Sequence, residues 1–268
     1  MAASVRRVLV TGANKGIGLA NVAAILAAHA DAFVFLGSRD RARGEAARAS
    51  LGEAAAARCE VLEIDVASDA SVAAAAARVG AAGALYGALL NAGVAGSGAA
   101  ETFTVNLAGV RRCVEALAPL LTASDARIAV VASGVGPMFV AKCAPEAVAW
   151  FRAAQPEADV LARAAAAAAA IDAGDDAALV AAGYYARPAD QGREGLAYYA
   201  SKAFVNAYTQ AAAPALARKG VTLASASPGF SESSRGAQLV LRGRVHAGAP
   251  LPGRAAACPP ACPSVRPR

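Results

Sequence analysis

The chain has 268 residues, 57% hydrophobic but only 5% aromatic, with a formal net charge of +6. That length suits one domain with a sizeable core, and no apolar run reaches the ~18 residues of a membrane-spanning helix. The charge excess comes from six arginines, and no acid, between Arg235 and Arg268; residues 1–234 carry 20 charges of each sign, so the basic pI does not argue for nucleic-acid binding.

The chain opens "MAASVRRVLV", a β-rich run over 5–10 that leads straight into "TGANKGIG". That leaves no room for a signal or transit peptide, and a cytoplasmic protein is expected. Gly12, Gly16 and Gly18 are spaced G-x-x-x-G-x-G. Glycines there let the backbone turn tightly and approach a pyrophosphate at the N-terminus of the following helix, Ile17 to Ala30. The second strand, 32–38, ends "GSRD". An NAD site wants an acid at that strand end to accept from the ribose 2′-OH. Ser38 stands there instead, followed by Arg39, which can bond a 2′-phosphate in bidentate fashion, and Lys15 adds charge from the glycine loop. The residues therefore favour NADP, with Asp40, one position late, left as an NAD-type alternative.

Further strands are expected at 59–66, 84–91, 127–133 and 221–227, with a helix over Val105 to Leu121. Alternation of strands with helices predicts a parallel sheet covered on both faces, with ligands beyond the carboxyl ends of its strands. Residues 137–194 hold no clear strand; helical pieces around Pro145 to Ala154 and Glu157 to Ala173 make them an insertion above the sheet edge. "LAYYASKAF" (196–204) follows, with one of only four lysines in a chain of 22 arginines. On a helix, Tyr198 and Lys202 are neighbours and Tyr199 points about 100° away. An ammonium beside a phenol favours the phenolate, so Tyr198 is a candidate tuned proton donor, and Tyr199 is expected to pack or to line the cleft. The five cysteines, Cys59, Cys113, Cys143, Cys258 and Cys262, are odd in number and scattered, which argues for a reducing compartment rather than a disulfide framework. With two histidines in the chain, no histidine-based metal site is expected. From about Gly236, Pro, Gly, Ala and Arg dominate and little order is expected.

Taken together, "TGANKGIG", "IDV" (64–66), "NAG" (91–93), "VN" (105–106), "VVAS" (130–133), "YYASK" (198–202) and "SPG" (227–229) resemble the short-chain dehydrogenase/reductase family over roughly residues 5–235. The 65 positions from Ser133 to Tyr198 look like its monomeric NADPH carbonyl reductases. The resemblance implies a single-domain α/β fold: a Rossmann-type doubly wound parallel sheet over 1–235, with the helical insertion 137–194 and a low-complexity tail, 236–268. It implies NADPH/NADP+ as cofactor and a small-molecule carbonyl substrate, with no nucleic acid, membrane or metal. Tyr198 would donate the proton, Lys202 would lower its pKa and bond the nicotinamide ribose, Ser133 would hold the substrate oxygen, and Asn106 would support a water leading to Lys202. Gly12, Asn14, Lys15, Gly16, Ile17, Gly18 and Arg39 would hold the phosphate side of the cofactor. Asp65 and Val66 would meet the adenine, Asn91 and Gly93 the cofactor floor, and Pro228 and Gly229 the nicotinamide.

Three departures accompany the resemblance. Leu90 replaces the first Asn of the family's N-N-A-G, the Asn91–Asn106 segment is short enough to clip a helix, and Ser233 stands where a threonine is usual. The tail also lacks anything like the family's last helix and strand, which predicts an unprotected edge on the sixth strand and no replacement strand among Pro250, Pro252, Pro259, Pro260, Pro263 and Pro267. These departures keep a second reading open, a non-catalytic or defective dinucleotide-binding protein.

Overall fold

The structure, a computed structural model, describes residues 5–122, 125–185 and 192–228, and the backbone of 245–246. Gly229, Ser233 and the expectation of little order beyond Gly236 lie outside the described residues, apart from that two-residue strand. In chain order the first half holds β1 (Arg6–Val10), α1 (Gly16–Ala28), β2 (Ala32–Ser38), α2 (Arg41–Ala49), the short turn α3 (Glu53–Ala56), β3 (Cys59–Glu63), α4 (Asp69–Ala82) and β4 (Gly87–Leu90). Then come α5 (Ala99–Phe103), a π-helical stretch (Thr104–Ala108), α6 (Gly109–Leu117) and β5 (Arg127–Val131). Four helices follow, α7 (Val135–Ala141), α8 (Pro145–Arg152), α9 (Glu157–Ala173) and α10 (Asp176–Ala181), before α11 (Arg193–Ala217), β6 (Thr222–Ala226) and β7 (Val245–His246).

The sheet order is β3-β2-β1-β4-β5-β6-β7, with the first six strands parallel. This is the Rossmann-type doubly wound α/β fold, and the strand order reverses between β1 and β4. All six expected strands form, each within a few residues of its expected bounds. Side chains alternate between two cores, as a strand period of two requires. Leu9 and Phe35 face one core with Ile128 and Phe204, while Val10, Val34 and Leu36 face the other with Val22 and Leu26 of α1. On that second face Ala129 and Val131 of β5 are only half-buried.

Two expectations need correction. The sixth strand does not end the sheet: β7 pairs antiparallel with it, Ser225 opposite His246 and Ala226 opposite Val245. Val245 and His246 precede the run of prolines, keep their backbone N–H groups, and can join a ladder from which proline is excluded. The helix expected from Val105 starts instead at Ala99 and passes through a π-helical stretch, which a reading based on a 3.6-residue period does not anticipate.

Close approach of α7 to α11 brings the strand end of β5 against the helix of Tyr198 and Lys202. Gly136 makes it possible, because a Cβ there would stand 2.8 Å from the Lys202 carbonyl oxygen. Gly136→Ala should therefore push the helices apart and cost about 1–3 kcal/mol, the usual range for overpacking. Urea denaturation measures it, and an unchanged midpoint would show that α7 can shift freely.

Candidate active site

A cleft of about 400 Å³ opens at the carboxyl ends of β1, β4, β5 and β6, lined among others by Ile17, Asn91, Gly93, Ser133, Tyr198 and Lys202. Pro228 reaches it from beyond β6, and Val94, Val135 and Met138 give it apolar walls.

The glycine loop reaches the cleft at Ile17. Gly12 and Gly16 have φ of 62° and 54°, a left-handed conformation that favours glycine. At Gly12 space is also short, since a Cβ would stand 2.8 Å from the Ala92 Cα. Helix α1 begins after Lys15, whose side chain makes no capping bond, so the first N–H groups of the helix face the loop without a side-chain partner. Asn14 is half-buried, Lys15 exposed and Gly18 buried in the first turn. Asn91 holds this loop from the other side of the strand crossover, donating from Nδ2 to the Thr11 and Gly12 carbonyls at 3.1 Å each. Thr11 Oγ1 accepts in turn from the Asn91 and Ala92 amides at 3.0 and 3.1 Å. Thr11 was not singled out in the sequence, although it stands inside the glycine pattern. Its burial beneath β4 is what gives it a role.

At the end of β2, Ser38 is buried and donates to the Asp40 carbonyl at 2.7 Å. Asp40 caps α2, accepting from the Arg43 amide at 2.9 Å and pairing with its guanidinium. These contacts hold its carboxyl below the usual carboxylate range, the Arg43 backbone bond most of all. Arg39 is exposed and makes no hydrogen bond or ion pair among the described residues. Asp65, at the end of β3, accepts from the Ala67 amide at 2.9 Å, and Val66 is buried against Gly109.

On α11, Tyr198 faces the cleft, while Tyr199 packs half-buried against the core. Lys202 is 5% exposed; Nζ donates to the Val131 carbonyl at 3.0 Å and lies 5.8 Å from the centre of the Tyr198 ring. Burial pushes its pKa down from 10.5 to about 8. Ser133 follows β5 two residues after Val131, its hydroxyl accepting from the Val135 amide at 3.4 Å. Asn106 lies behind the cleft wall in the π-helical stretch, 1% exposed. Its Oδ1 accepts from Val94 N–H at 2.8 Å, and Nδ2 donates to the Val94 carbonyl and to Ser201 Oγ, both at 3.0 Å. Ser201, itself unremarked in the sequence, donates to the Tyr198 carbonyl at 2.8 Å.

The residues fit a dinucleotide: a tight glycine turn, helix N–H groups free of side-chain caps, and an open floor at Gly93, where a Cβ would stand 3.2 Å from Asn106 Oδ1 and 3.6 Å from Lys202 Nζ. Among the described residues no group of three His, Cys, Asp or Glu could hold a metal, and no helix is long and apolar enough to cross a membrane.

Comparison with known proteins agrees with this fold. The sequence pattern of the short chain dehydrogenase family matches residues 6–145, more than half of the chain. No curated protein matches by sequence. Among solved structures, salutaridine reductase from Papaver somniferum is similar with a TM-score of 0.72 and 23% identity over 86% of this chain and 89% of its own. Menthone neomenthol reductase from Mentha piperita gives 0.70 and 24% over 85% and 90%. RhlG from Pseudomonas aeruginosa, solved as an NADP active-site complex, gives 0.59 and 21% over 85% and 73%.

The lowered pKa of Lys202 has a consequence for stability. Between pH 8 and 10.5 the unfolded chain holds one proton more than the folded one at this site, so stability rises with pH through that window and the burial cost is fully present below it. The shift is worth about 3 kcal/mol. Without ligand, urea midpoints should rise from pH 7.5 to 10 by more in the parent than in Lys202→Met, and the variant should be the more stable at pH 7. Parallel pH profiles would show that the folded protein keeps Lys202 protonated as readily as the unfolded chain does.

Proposed function

Because the chain belongs to the short-chain dehydrogenase family, we propose that it reduces a small carbonyl compound, a ketone, aldehyde or quinone, with NADPH. Membership makes it an oxidoreductase that uses a nicotinamide dinucleotide. The observation that carries the finer reading is the sharing of one cleft by Ser133, Tyr198 and Lys202 with Ile17, Asn91 and Gly93.

Gly12, Asn14, Lys15, Gly16, Ile17 and Gly18 would hold the pyrophosphate, with Asp65 and Val66 at the adenine, Asn91 and Gly93 beneath, and Pro228 near the nicotinamide. Bound there, the dinucleotide supplies the hydride. Ser133 holds the carbonyl oxygen by a hydrogen bond and leaves the carbon facing the cofactor side. Tyr198, whose hydroxyl has no partner among the described residues, gives its proton to that oxygen as negative charge develops there. Lys202 favours the resulting phenolate through its charge and would bond the nicotinamide ribose. Asn106 fixes the wall at Val94 and would support a water leading to Lys202, the route by which the proton on Tyr198 is replaced.

Two features support NADPH over NADH. Asp40 is occupied as the cap of α2 and is poorly placed to serve a ribose 2′-OH, while Arg39 is free to meet a 2′-phosphate. NADPH should bind more tightly than NADH, and Arg39→Ala should shrink the difference by about 1.5–3 kcal/mol, the value of a hydrogen bond to charge. Fluorescence titration measures both affinities, and equal affinities in the parent would remove the case for NADPH.

The reaction itself is tested by NADPH oxidation with a panel of carbonyl compounds. Tyr198→Phe should lower the rate by ~10²–10⁴, the usual contribution of a positioned acid, and Tyr199→Phe by much less. Tight NADPH binding without turnover of any compound would favour a dinucleotide-binding protein without catalysis.

A further inference from the structure

Asp172 has no part in the reading above, and its local placement is unfavourable. It lies in the last turn of α9, where a carboxylate meets the negative end of its own helix dipole. Its partners are in another element. Oδ1 accepts from the Ala99 amide at 2.7 Å and Oδ2 from the Ala100 amide at 2.8 Å, across 73 and 72 positions of sequence. These are the first two residues of α5, whose N-cap, Gly98, has no side chain to serve them. A Cβ at Gly98 would stand 3.4 Å from Asp172 Oδ1, in ordinary contact, so the carboxylate sits directly against the cap position. Arg193, which opens α11, donates to the Asp172 carbonyl at 3.2 Å and lies against Gly174, the left-handed residue ending α9. The starts of α5 and α11 thus meet the end of α9 at one corner.

We propose that Asp172 is a positioning residue for the reaction, fixing the entry of α5 so that Asn106 holds Val94 in the cleft wall. A carboxylate that bonds two successive N–H groups constrains the direction of the first turn as well as its position. From that turn the helix runs without a break into the π-helical stretch that presents Asn106 to Val94 and Ser201. The catalytic consequence rests on the function proposed above, whereas the mechanical one does not.

The test compares Asp172→Ala with the double variant Asp172→Ala/Gly98→Asp, which returns the cap within the segment of α5 itself. Gly98 has φ −54° and ψ 161°, a conformation open to any residue and usual for an N-cap. With NADPH and the best carbonyl of the panel, Asp172→Ala should lower kcat about tenfold and change the KM for NADPH less than about twofold, and the double variant should recover most of the loss. Amide hydrogen exchange gives a readout without turnover: Asp172→Ala should speed exchange at Ala99, at Ala100 and also at Val94. Faster exchange confined to Ala99 and Ala100, an unchanged kcat, or a loss that the double variant does not restore would each overturn the proposal. A parent that reduces no carbonyl would instead defeat the proposed function, and exchange at Val94 would then decide the role of Asp172 alone.

Discussion

The arrangement of the cleft depends on one buried charge. The Lys202 ammonium has a single acceptor among the described residues, the carbonyl of Val131 at the end of β5. That bond ties α11 to the strand end that leads into Ser133, and so sets the distance between the two sides of the candidate site. A buried cation with one neutral partner is costly; here the cost shows in the depressed pKa of the lysine. Retaining such a group in a tightly packed interior is the pattern expected of a functional site rather than of a core.

Around that bond the structure restrains each wall of the cleft separately. Asn91 and Thr11 lock the glycine loop to β4, and Asn106 locks Val94 to α11 through Ser201. The helices between β5 and α11 close the remaining side. Phe139, Phe151, Tyr184 and Phe204 form one aromatic cluster at the base of these helices. Arg163 stacks 4.5 Å from the centre of the Trp150 ring and donates to Tyr184 at 2.9 Å. In a chain so poor in aromatics, their concentration beneath α7–α10 indicates where large side chains were needed to fill space that alanine cannot.

Much of this was legible in the residues. Six strands, the glycine turn and the helical register that turns Tyr198 and Lys202 to one side follow from local patterns, because periodicity and glycine chemistry act over a few residues. The π-helical stretch was not legible, since the added residue in its turn leaves no trace in composition. Neither was β7, whose two residues gain meaning only beside β6. Thr11 and Ser201 are hidden for a similar reason, small hydroxyl residues whose partners lie on other elements.

The sequence by itself therefore determined the fold class, the glycine turn between the first strand and the first helix, and the helical register that brings Tyr198 and Lys202 to one cleft. The last two rest on contacts within one element or one turn, and the first on the alternation of such elements along the chain. Only the tertiary structure decided that Asp40 is occupied as a helix cap, that Asn106 is held against Val94 and Ser201, and that Asp172 caps a helix 73 positions before it. Hydrogen-bond partners of this kind are set by where the chain returns in space, and the spacing of residues along the chain does not encode that return.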